Sequence, residues 1–124
     1  MRVGLALSDP LQIISQPYKV IPNDESLFEK IREIVNSKNV GKIVLGLPLN
    51  LDGEDTFKTR EVRKFAEILK KKINIPIILW DERYTTVEAN EILKKMDYGI
   101  KESKDVIDKV AASIILKNYL DSNK

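Results

Sequence analysis

Two short apolar runs, Lys42 to Leu47 and Ile77 to Trp80, flank a segment in which Val62, Phe65, Ala66 and Leu69 recur at helical spacing. No other feature narrows the fold as much. Runs of Ile, Val and Leu this short, closed by Pro48 in one case and Asp81 in the other, suit strands rather than helices. A helix between two such strands makes them parallel neighbours joined by a right-handed crossover, and a run this apolar fits a parallel strand covered on both faces. Ligands in sheets of this kind gather beyond the carboxyl ends of the strands, so function is to be sought in Leu47 to Gly53 and in Asp81 to Thr86.

The remaining segments extend this unit. Arg2 to Ser8 reads as a strand, Val3, Leu5 and Leu7 alternating with the small Gly4 and Ala6, and Asp9-Pro10 turns the chain. A second strand, from about Leu11 to Ile21, forms an antiparallel hairpin with the first, and Pro17 within it marks a sheet edge. Asn23 or Asp24 caps a helix with Leu27, Phe28, Ile31, Ile34 and Val35 on one face, ending near Asn39. After Asp81 follows a helix with the stripe Val87, Ile92, Leu93 and Met96. Beyond the Tyr98-Gly99 break a last helix runs from about Asp105 to Leu120. The order β-β-α-β-α-β-α-α is an α/β fold with a mixed sheet flanked by helices, and 124 residues suffice for a single domain, 1–124, with one core.

Composition narrows the chemistry. The chain has no histidine and no cysteine, which excludes disulfides, thiolate nucleophiles, Ser-His triads and the usual zinc sets. Any catalysis must use carboxylates, hard ligands suited to Mg²⁺ or Mn²⁺, although a binding module without catalysis fits the same composition. With 21 basic and 19 acidic side chains interspersed, the net charge of +2 points to no partner. The longest apolar stretches, such as Ile75 to Trp80, fall far short of the roughly 20 residues of a membrane span, and there is no signal-peptide layout. The expectation is a cytoplasmic protein with no membrane partner.

Candidate residues each carry a plain structural reading beside the functional one. Asp81-Glu82-Arg83 sits at a strand end, where two acids could bind a metal or could simply pair with Arg83, and Thr85 or Thr86 can cap the next helix. Asp108 lies close to an apolar stripe, between Val106-Ile107 and Val110-Ala111-Ala112. A metal, an arginine or a capping role would satisfy it, and the Ala111-Ala112 pair would let the helix approach the sheet closely. Asn50 and the Asp52-Gly53 turn offer an amide side chain and backbone N–H groups that could position a phosphate, or form an ordinary strand-ending turn. Lys70-Lys71-Lys72 reads as a helix end complementing its dipole.

Four of these segments, in order, resemble the YqgF family. They are Arg2-Val3-Gly4-Leu5-Ala6-Leu7-Ser8-Asp9-Pro10; Gly46-Leu47-Pro48-Leu49-Asn50 with Asp52-Gly53; Asp81-Glu82-Arg83-Tyr84-Thr85-Thr86 with Glu88-Ala89; and Ile107-Asp108-Lys109-Val110-Ala111-Ala112 with Ile115-Leu116 and Tyr119-Leu120. The family is described as Holliday junction resolvases or as pre-16S rRNA nucleases. The resemblance implies an RNase H-like fold with a five-stranded mixed sheet and a divalent-metal site, Mg²⁺ or Mn²⁺, built from three acids. Glu82 and Asp108 match two of them. The third stands on the family's first strand, just before the segment that here begins at Arg2, and Asp9 matches a different acid at the end of the second strand.

By that resemblance the chain is N-terminally short, and the absent strand is central, between the second and the fourth. Each orphaned buried backbone group costs about 1 to 3 kcal/mol, against a domain stability of about 5 to 15 kcal/mol. The expectation is therefore that the natural protein starts upstream. The alternatives are that Arg2 to Ser8 moves to the centre, bringing Asp9 in as a substitute acid, or that another chain supplies a strand. The function implied is metal-dependent phosphodiester hydrolysis at the 5′ end of pre-16S rRNA, with Glu82 and Asp108 as catalytic metal ligands. Arg83 with Thr85 or Thr86 would touch phosphates, and Asn50, Asp52 and Gly53 would shape the groove. The alternatives are cleavage of branched DNA and a catalytically inactive RNA-binding or ribosome-assembly scaffold. A homodimer is left open.

Overall fold

The computed structural model describes residues 2–83, 91 and 103–122, which fall into two compact units: residues 2–22 with 103–122, and residues 23–83. In the first, β1 (Arg2–Ser8) and β2 (Ser15–Pro22) form the expected antiparallel hairpin, paired from Arg2↔Pro22 to Ser8↔Ser15. Leu5 faces Lys19 and Ala6 faces Pro17, so Tyr18 is the extra residue of a bulge beside the proline, which has no ladder N–H to give.

The second strand begins later than expected. Residues 11–14 form a loop because one Asp9 carboxylate oxygen accepts the N–H groups of both Ile13 and Ile14 at 2.7 Å, with Gln12 in the left-handed region at φ 58°. Asp9 thereby closes the hairpin, and β1 has β2 as its partner among the described residues.

Helix α3 (Ser103–Ser122) packs on both strands and contributes Val110, Ile114, Ile115, Tyr119 and Leu120 to a core that includes Ile21. The close approach depends on Gly4. A Cβ on Gly4 would collide with the carbonyl of Asp108, and a glycine inside a strand is what such an approach needs.

The second unit contains the β-α-β pattern. β3 (Ile43–Leu47) and β4 (Ile77–Asp81) are parallel, paired Ile43↔Ile77 through Leu47↔Asp81. Among the described residues they form a two-stranded sheet, so Ile43 to Gly46 are partly rather than fully covered and Leu47 is buried. Helix α1 (Leu27–Ser37) buries Leu27 and Ile31 and stops where Asn39 turns left-handed at φ 55°. Ser26 rather than Asn23 or Asp24 is its N-cap; Asp24 instead accepts the Ser26 N–H and hydroxyl at 2.9 and 2.6 Å, shaping the turn before the helix. Helix α2 (Phe57–Lys72) buries Thr59, Ala66 and Leu69, and Phe65 stacks on Phe28 of α1 with ring centroids 5.3 Å apart. The four strands and their helices are consistent with an RNase H-like α/β fold.

Candidate functional site

The carboxyl ends of β3 and β4 lie side by side, as parallel pairing requires, and the ladder runs one residue past β4 through the Glu82 N–H to the Leu47 carbonyl at 3.2 Å. Three consecutive residues there have three different fates. Asp81 accepts the Arg83 backbone N–H at 3.0 Å and its guanidinium at 2.7 Å, and this hydrogen-bonded cation holds the Asp81 carboxyl below its ordinary pKa. Arg83 uses its remaining arm on the Leu51 carbonyl at 3.0 Å, tying β4 to the loop that follows β3. Glu82 is half-buried, and its carboxylate has no hydrogen bond or ion pair among the described residues. Burial first, and the neighbouring Asp81 second, push its pKa up.

The pairing of an acid with Arg83 is thus realised at Asp81, and Glu82 is left over. A partly desolvated carboxylate without a partner is a fitting ligand for a hard divalent cation, which would repay the cost that burial imposes on its charge. Among the described residues no three Asp, Glu, His or Cys side chains gather closely enough to hold a metal by themselves.

The loop 48–56 is built rigidly. The Gly53 N–H donates to the Asn50 carbonyl at 2.8 Å, the Asn50 N–H to Glu54 at 3.0 Å, and the Glu54 N–H to the Asp52 carboxylate at 3.1 Å. Gly53 has φ 88°, a backbone that only glycine adopts without strain. The Asn50 and Gly53 amides are therefore spent within the turn, as is the Asp52 side chain. The Asn50 carboxamide is exposed and without a partner among the described residues.

Three further residues hold this loop, and their role was not read from the sequence. Thr56 and Thr59 form a reciprocal capping pair at the start of α2, and the fully buried Thr59 hydroxyl donates to the Pro48 carbonyl. Arg63 forks onto Asp55 at 3.0 and 3.1 Å. Threonines three apart ahead of an apolar helical stripe are the available signal for the first two.

Asp108, in the other unit, is answered by Arg2 at 3.7 Å, both side chains being more than a third exposed, so an arginine satisfies it and the interaction is screened. Thr85 and Thr86, the helix expected around Val87 to Met96, and the Tyr98-Gly99 break lie outside the described residues. Lys70 pairs with Glu67 at 3.8 Å in the last turn of α2, consistent with the helix-end reading of that lysine run.

Residues 1–122 match the family RuvX, described as Holliday junction resolvase. The chain belongs to this family. It is 46% identical over 121 residues to a protein of Maridesulfovibrio salexigens, covering 96% of this chain and 90% of the relative. It is also 46% identical over 125 residues to one from Thermoanaerobacter pseudethanolicus, covering 98% and 90%. A protein of Clostridium acetobutylicum is 42% identical over 122 residues, covering 97% and 90%. All three relatives carry the name "Putative pre-16S rRNA nuclease". The RuvX match spans every segment on which the YqgF resemblance rests. No helix among the described residues is long and apolar enough to cross a membrane.

Proposed function

We propose that this chain is a metal-dependent nuclease that hydrolyses phosphodiester bonds in structured RNA, processing the 5′ end of pre-16S rRNA in the cytoplasm. The observation that carries the reading is the state of Glu82: a half-buried carboxylate at the end of a parallel strand, without a hydrogen bond or ion pair among the described residues while Arg83 occupies the acid beside it. Glu82 and Asp108 are the residues that would hold Mg²⁺ or Mn²⁺, together with water and substrate oxygens. When bound, such an ion activates water and stabilises charge on phosphoryl oxygens.

The remaining contributions belong to the protein itself. Asp81 absorbs the positive charge of Arg83 and keeps it off Glu82. Arg83 acts through the loop it holds at Leu51, and with Thr85 and Thr86 it would meet phosphate oxygens. Asn50, at the rim of the loop, donates its amide to a phosphate, while Asp52 and Gly53 give the loop its shape.

Cleavage of a 5′-extended 16S rRNA fragment tests the reading. Glu82→Gln and Asp108→Asn should each reduce the metal-dependent rate at least a hundredfold, and full activity in both would overturn it. A four-way DNA junction in parallel reactions decides between RNA and the branched-DNA substrate that the family description suggests. The Arg2 contact on Asp108 favours the second reading, an RNA-binding scaffold without catalysis. Under that reading, calorimetric titration with Mn²⁺ shows no binding that depends on Glu82 and Asp108.

A further inference from the structure

Helix α2 has a charge pattern that the site does not use. It carries seven basic residues against two acidic ones, a net +5 in a chain whose total is +2, so the rest of the protein sums to −3. Both acids are already engaged, Glu61 with Lys58 at 3.9 Å and Glu67 with Lys70 at 3.8 Å. Arg63 is held by Asp55, and Lys72 lies over the Phe28 ring at 5.6 Å. Arg60, Lys64 and Lys71 remain, each exposed and without a hydrogen bond or ion pair among the described residues, although Arg60 lies within electrostatic reach of Asp55.

These three share one line. Spacings of four and seven residues at 100° per residue place them within about 40° of one another, over about 16 Å of helix. The line runs opposite Thr59, Ala66 and Leu69, the face α2 buries. Beside it, on the same outward side, Phe57 is 69% exposed and Ile68 43% exposed. An aromatic ring left in solvent next to a row of uncompensated cations joins a phosphate-tracking row to a surface on which a base can stack.

We propose that the outer face of α2 is a binding surface for a single nucleic-acid strand, with Arg60, Lys64 and Lys71 along its phosphates and Phe57 under an unpaired base. Three cations spread over about 16 Å match a few successive phosphates of one strand. The proposal rests on the nucleic-acid reading above and adds to it a surface outside the carboxylate site. It assigns the α2 charge to recognition of the strand portion that is not cut.

The test is binding of a fluorescein-labelled 20-nucleotide single-stranded RNA by the full chain in EDTA, where cleavage is blocked, from 50 to 200 mM KCl. The triple variant Arg60→Gln/Lys64→Gln/Lys71→Gln should lower the slope of log Kd against log salt by about 2 and weaken binding at 50 mM at least tenfold. Phe57→Ala should weaken binding about tenfold with the slope unchanged. These exposed sites leave thermal unfolding within a few degrees of the parent, which separates loss of binding from loss of fold.

Unchanged affinity and slope in the triple variant, or no RNA binding by the parent, would overturn the proposal. Parent-like cleavage of pre-16S RNA beside an unaffected triple variant removes this surface alone. Binding that depends on the cationic row in a chain that cleaves nothing keeps the surface and removes the catalytic reading.

Discussion

Thr59→Val removes one oxygen and keeps the shape of the side chain, so it isolates the polar role of the residue on which the loop 48–56 hangs. The hydroxyl donates to the Pro48 carbonyl and accepts the Thr56 N–H at 2.9 Å, at a site with no solvent exposure. Valine satisfies neither group. A buried polar group left without its partner costs about 1 to 3 kcal/mol, and the Thr56 N–H is only partly buried, so the expected loss is about 2 to 4 kcal/mol. Thr59→Ser keeps the oxygen and gives up one methyl, a loss of about 1 kcal/mol. Transfer free energies alone would rank valine the more stabilising; the structure reverses that order. Urea unfolding measures it: with a slope of about 2 kcal/mol per molar, Thr59→Val should lower the midpoint by about 1 to 2 M and Thr59→Ser by about half a molar. Faster hydrogen exchange at the Thr56 amide in the valine variant would locate the effect. A Thr59→Val protein as stable as Thr59→Ser would refute the assignment.

Gly4→Ala should destabilise the chain by about 1 to 3 kcal/mol, seen as a lower urea midpoint, because its Cβ must displace the Asp108 turn of α3; an unchanged midpoint would mean that α3 does not lie that close to β1. For Asp9 the hydrogen bond from the Ile14 N–H is the largest influence, opposed by desolvation and aided by the Ile13 N–H, and the carboxyl titrates below its ordinary 3.8. A lowered folded pKa means that the stabilisation is present above the unfolded value and is lost as pH falls through the folded one. Protection of the Ile13 and Ile14 amides should therefore decline as pH drops below about 4 in the parent, while Asp9→Asn shows no such step; identical profiles would contradict it.

The elements set by local periodicity were legible: the hairpin, the parallel pair and the amphipathic α1 and α2 follow from alternation, Pro48 and helical stripes. What could not be read is where the backbone itself provides the contact. Gly4 looked like the small member of an alternating strand, and only packing of α3 shows that its missing Cβ admits the Asp108 carbonyl. Likewise, residues 11–14 are apolar enough for a strand, yet two N–H groups converging on Asp9 outweigh that propensity and leave Leu11, Ile13 and Ile14 exposed.

The site was half legible for a related reason. Asp81 and Glu82 are equivalent as letters, and the strand end places both. Their division of labour follows from the reach of Arg83, whose guanidinium folds back two residues to Asp81 while its other arm finds Leu51, so that it engages Asp81 and not Glu82. The whole-chain charge obscured the second surface in the same way. A total of +2 averages a helix at +5 with a remainder at −3, and the Glu61 and Glu67 that make α2 look mixed in sequence are bound to its own lysines. Charge that is balanced along the chain is not balanced on the surface, because side chains three residues apart neutralise each other and leave the third face of the helix bare. A nuclease of this kind would then keep its anion-binding and metal-binding functions on different elements, with cations on α2 gripping the strand and the metal held by Glu82 and Asp108, outside α2.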